Sequence, residues 1–247
     1  MSRIGHAART MALTEHLHCP SAMALLPRVL GLELAARGRR LARSVGMGRP
    51  VPLPLERFAP PDSALATHAV ALLRELSAPY LENHCHRTHA FAVALASHHG
   101  RRFDAELLYL ACLLHDLGLA PAHHGDGAFE LRGARAAHAF CIEHGLSPAK
   151  AEVVHEAIAL HTSLASANRE PEIAYVHLGA GVDVIGYRVE DIARATIDRI
   201  VEQWPRHSLK EEIFRDLERE SVNSGSPLTQ QLKLGLGGRI RAAPFSE

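Results

Sequence analysis

With 247 residues and 47% hydrophobic side chains, the chain is long and apolar enough to fold around a real core. Its 27 Lys+Arg balance 27 Asp+Glu, so nothing suggests a footprint for nucleic acid, and a small-molecule substrate or a protein partner is expected instead. No apolar stretch approaches bilayer thickness, the N-terminus mixes Arg3, Arg9, Glu15 and His18 among its apolar residues, and the four cysteines form no C-x-x-C pair. Those features predict a soluble, cytoplasmic protein with no membrane partner, homo-oligomer formation being left open.

In chain order, "LLPRVLGLELAARGRRLARSVG" (25–46) reads as a helix with a basic end, docked on the domain with its arginines in solvent. Residues 44–62, "SVGMGRPVPLPLERFAPPD", hold five prolines and two glycines and mark a boundary. Beyond it, Asp62 or Ser63 can cap a helix that runs through Ser77. A second helix spans about 83–99 and stops at Gly100, and a third is capped by Asp104 and ends at Gly118. A fourth runs from Phe129 to His144, and a fifth starts at Ser147 with Pro148 in its first turn. In "EIAYVHLGAGVDVIGY" the residues Val176, Ala180, Asp183 and Tyr187 step by helical intervals, and "SLKE" (208–211) reads as a capping box. The expected fold is all-α: a helical N-terminal extension over 1–50, a bundle over 51–205, and a C-terminal helix and tail over 206–247 that pack on it.

The third helix ends in "LLHDLG", and its leucines cover every side, so it should be the central buried helix. With 18 histidines in the chain, chance alone supplies a His-Asp pair about every other time, so the dipeptide by itself proves nothing. Its position matters more. A helix C-terminus carries partial negative charge and disfavours an aspartate unless a cation offsets both. His115 and Asp116 are therefore either exposed in the turn or ligands of a metal such as zinc, iron, manganese or nickel.

Other inward-facing polar residues bear on that choice. His84 starts a stripe through Thr88, Phe91 and Leu95, and Asp183 sits among Val176, Ala180 and Tyr187; each reads as a satisfied core residue or as a further ligand. His155 and His161 lie six residues apart on one helix, so only one can face a site. His161 follows Val154 and Ile158 on the apolar stripe and is the better candidate, with His155 on the solvent side. "HEAIALH" misses the zinc-protease pattern, since residue 159 is Ala, and "GAGVDVIG" misses the dinucleotide pattern, since residue 184 is Val. Glu130, at the start of its helix, either complements the dipole or reaches a reacting water. Arg87, on the face of His84, either orients a ligand carboxylate or an anionic substrate, or lies on the surface.

The ordered set of "NHCHRTHAF", "LLHDLG" 31 residues later and "GVDVIG" resembles the HD-domain superfamily of metal-dependent hydrolases. With "GAFELRG", "AIALHTS", "WPR" and "APF", it looks like the cyanamide hydratase branch. The resemblance covers residues 58–247 and implies an HD-domain helical bundle. It further implies His84, His115, Asp116 and Asp183 as ligands of one divalent metal, zinc in that branch, and puts Glu130 and His161 near the active site, where either would move the proton; Arg87 joins them as a catalytic candidate from its helical face alone. The implied activity is metal-assisted addition of water to cyanamide or a nitrile-like group. The alternatives are a phosphohydrolase acting on a nucleotide or another phosphate ester, and a metal-binding regulatory module without turnover.

Overall fold

The computed structural model describes residues 21–223 and 226–247. The first 20 residues of the expected N-terminal extension, Cys19 among them, lie outside the described residues. Eleven α-helices and no strand occur among the described residues, which is the all-α fold expected.

The arm helix α1 (Ala22–Ser44) leads through the proline-rich connector to α2 (Ala64–Leu76) and α3 (Pro79–His98). Ser63 caps α2 by accepting from the Ala66 amide. Helix α3 begins four residues before the sequence suggested, because Pro79 fits the first turn, where a missing N–H costs nothing. His84 is thereby a full turn inside the helix.

Helix α4 (Ala105–Leu114) is capped by Asp104, which accepts from the amides of Glu106 and Leu107. Every residue from Leu107 to Leu114 is buried, and α2, α3, α6 (Pro148–Leu160) and α7 (Pro171–Ile185) all pack around it. The helix stops at Leu114, short of the expected Gly118, so His115 is its C-terminal cap and Asp116 opens a single 3-10 turn. That turn rests on α5 (Phe129–Glu143). The approach is so close that a Cβ on Gly118 would lie 1.9 Å from the Phe129 carbonyl oxygen.

Helices α3 and α7 form the most extensive pairing in the bundle. A Cβ on Gly179 would meet the Thr88 carbonyl oxygen at 2.3 Å, so glycine lets the two backbones touch and brings Asp183 alongside His84. The chain continues through α8 (Arg194–Gln203), α9 (Leu209–Asn223), α10 (Pro227–Lys233) and α11 (Leu236–Arg241). Ser208, expected in a capping box, has φ +61°, outside the extended conformation a capping residue adopts. The last three helices build a second apolar cluster with Leu81, Leu119 and Phe129. The arm is tied down by ion pairs from Arg39 to Glu190 (2.7 Å) and from Arg43 to Asp191 (2.8 Å).

Candidate metal centre

Three buried side chains from two neighbouring segments, His84 on α3 and His115 and Asp116 at the end of α4, form a group able to hold a metal ion. Their arrangement follows from hydrogen bonds behind each ring. His115 Nδ1 lies 2.8 Å from the Cys112 carbonyl; a carbonyl only accepts, so Nδ1 carries the hydrogen and Nε2 faces inward with its lone pair. His161, the cap of α6, does the same with the Ile158 carbonyl at 2.7 Å. His84 Nδ1 donates to Asp183 Oδ2 at 2.7 Å. All three Nε2 atoms then face Asp116: His115 and His84 lie 3.2 and 3.4 Å from Oδ2, and His161 lies 3.4 Å from Oδ1.

The Nε2 atoms of His84 and His115 are 3.2 Å apart. Two lone pairs at that separation repel unless a proton or a cation lies between them, and a carboxylate oxygen completes a donor set suited to a borderline divalent ion. The residues present thus fit a metal. Asp183, the expected fourth ligand, stands outside the group. Its Oδ1 accepts from Arg206 at 2.6 Å and from Arg87 Nε at 2.9 Å, and its Oδ2 from Arg87 Nη2 at 2.9 Å and from His84. With both oxygens occupied, it orients the His84 ring from behind, as an outer carboxylate does for a metal-bound histidine.

Two other expectations change similarly. Arg87 is fully buried and spends its remaining donors on the Trp204 and Pro205 carbonyls, so it is a positioning residue directed away from the cavity. Glu130 does not line the cavity either: its Oε1 accepts from Thr162 at 2.7 Å and from Ser226 at 2.5 Å, tying α5 to the turn after α6 and to the start of α10. His155, placed on the solvent side by its neighbours in sequence, is buried, with its ring 6.0 Å from that of His138. Alanines around it make that face of α6 a second packing surface, which polar neighbours at 152 and 156 obscured.

Arg206 was not among the sequence candidates. The signal was present in the need of a buried Asp183 for a cation; a metal and an arginine satisfy it equally, and only the fold selects the arginines.

Charge follows the same geometry. Burial opposes ionisation of Asp116, but His115, His161 and His84 outweigh it and hold its pKa well below the usual range. Burial likewise opposes a charge on His84 and His161, yet their carboxylate neighbours raise both pKa values. His115 goes the other way, burial dominating. At His155 burial lowers the pKa to about 4, and at His89 to about 3.

The pH dependence of the metal-free protein follows. Stability from raised His84 and His161 is complete below the unfolded value of about 6.5 and is lost as pH rises through their folded values. The lowered histidines act oppositely: below about 6.5 the unfolded chain binds protons they refuse, so stability falls on acidification. The melting temperature of metal-free protein should therefore peak near pH 6.5, and metal loading should remove the alkaline decline. A metal-free profile rising steadily from pH 6.5 to 9 would contradict these charge assignments.

The triad forms the inner end of a cavity of about 580 Å³ whose lining also includes Phe129, His161, Thr162 and His177. An all-α bundle with paired histidines and an aspartate converging at a cavity defines a metal-binding helical domain. Residues 81–212, more than half of the chain, match the family model described as HD domain, and the chain belongs to the HD-domain family. HD domains bind divalent metals and in general are metal-dependent hydrolases. A search of curated proteins finds none that matches.

Proposed function

We propose that the chain is a zinc-dependent hydratase or hydrolase that adds water to a small neutral group of the nitrile or cyanamide type. The observation that carries this reading is the convergence of three histidine Nε2 atoms on Asp116 at the inner end of a cavity, with no guanidinium among them. His84, His115 and Asp116 would hold a divalent ion, which when bound would supply water activation near neutral pH and polarisation of the substrate.

The protein's own groups do the rest. Asp183, Arg87 and Arg206 hold the His84 ring in place. His161, with Nδ1 committed to the Ile158 carbonyl, offers Nε2 to take a proton from the attacking water and return it to the substrate nitrogen. Asp116 faces that imidazole and stabilises its charged form. A phosphate ester needs cationic donors around its oxygens. Arg87 and Arg206, behind His84, are both turned onto Asp183, and of the cavity-lining arginines Arg188 and Arg239 face carboxylates, which favours a neutral substrate.

Protein purified without added metal and analysed for metal content, then assayed with cyanamide and with a panel of nucleotides and phosphate esters, tests the reading. About one zinc per chain and conversion of cyanamide to urea are expected. Phosphate release with no action on cyanamide would make it a phosphohydrolase, and bound zinc without any turnover a regulatory module. His161→Gln should retain the metal while turnover falls about 10²–10⁴-fold, the usual range for losing an acid–base group. Full activity in that variant would remove His161 from the chemistry.

A further inference from the structure

The cavity is far larger than the group proposed to react in it. Cyanamide has three heavy atoms, little more than a water or two at roughly 30 Å³ each, whereas about 580 Å³ lies within the range of sites for drug-sized ligands. Part of the wall around that remainder, including Thr162, His177, Val184 and Tyr187, belongs to the matched family region, and segments outside it supply the rest. From one side come Leu217, Leu228 and Leu236, on α9, α10 and α11, and from the other come Leu32 and Ala36 of the arm helix α1.

The rim is polar, but its charges are largely neutralised: Arg239 faces Glu33 at 3.5 Å, Arg188 faces Asp191 at 3.0 Å, and Arg39 faces Glu190 at 2.7 Å. Arg40 alone among the lining arginines lacks a carboxylate partner among the described residues, and it is exposed at the edge. The Arg239–Glu33 and Arg39–Glu190 pairs also fix the arm in place, together with the buried side chains of Leu25 and Val29.

We propose that α1 is the roof of the substrate site, and that the substrate is a neutral, mainly apolar molecule of drug-like size carrying its reactive group at one end. The inference rests on the hydrolytic reading of the metal centre for which end reacts, but not for what the cavity binds. Leu32 and Ala36 are then specificity-determining residues. The arm has two faces: Leu32 and Ala36 turn to the cavity, while Leu34, 66% exposed, points outward.

The test is a fluorescence titration of the metal-loaded full chain with 1-naphthonitrile, a neutral aryl nitrile. One site per chain is expected. Ala36→Trp and Leu32→Trp, which push an indole into the cavity, should each weaken binding tenfold or more with metal content and melting temperature retained. Leu34→Glu, on the outer face, should bind as the wild type does. Roof-dependent binding with no nitrile turned over would uphold the inference while the reaction assignment failed. Undiminished binding in both tryptophan variants, loss of binding in Leu34→Glu, or no binding by the wild-type chain, whether or not it hydrates cyanamide, would overturn it.

Discussion

Asp116→Ala is expected to strip the metal and end turnover. The carboxylate is the common neighbour of three imidazoles, and its removal leaves the Nε2 atoms of His84 and His115 facing each other at 3.2 Å with no anion to balance a cation between them. The loss in metal affinity should exceed the roughly 10–100-fold that removal of an outer partner costs. Metal analysis after dialysis, beside the same assay on wild-type protein, reads the result. Folding should survive, since alanine leaves no charge behind and the neighbouring histidines can be neutral. Normal metal content in a folded Asp116→Ala protein would sink the site as drawn.

Arg87→Met should have the largest effect on stability. The guanidinium is fully buried, forks onto both oxygens of Asp183 and satisfies the carbonyls of Trp204 and Pro205. Breaking a buried pair by removing one partner costs about 3–5 kcal/mol, because the other charge stays behind. For a chain of this size that corresponds to a melting temperature lower by on the order of 10 °C. Arg87→Lys should recover little of it, since an ammonium cannot make the fork. Metal affinity should also fall about 10–100-fold as the His84 ring loses its support. A Met variant that melts within about 2 °C of wild type, and binds metal as tightly, would show that Arg206 alone suffices.

The sequence made the central helix and its partners readable because apolar periodicity and capping residues are local: Ser63, Asp104 and Pro148 stand where the helices start. The place of His115 and Asp116 at the end of an all-round apolar helix left exposure in the turn and metal ligation both open, and the fold buries the pair beside His84. Which groups stand behind them was not legible, because hydrogen-bond order around a carboxylate is decided by side chains far apart in the chain. Asp183 meets Arg206 across 23 residues and Arg87 across 96. The reading of His155 failed for a related reason: α6 packs on α5 and α7 at once, and a single-stripe description cannot register two contact faces.

The arm shows the same limit. Its basic end and its docking against the body could be anticipated, but its arginines were expected in solvent, whereas Arg39 and Arg43 pair with Glu190 and Asp191, and those pairs set where Leu32 and Ala36 meet the cavity.

The tethered Nδ1 hydrogens of His84 and His115 bear on ion exchange. Each ring is already turned to its working tautomer by a partner that has no need of the ion, so uptake requires no ring flip and displaces hydrogens only at Nε2. The entropy of fixing the imidazoles falls on folding. A divalent ion would then enter, and another of similar size could replace it, with the rings standing still.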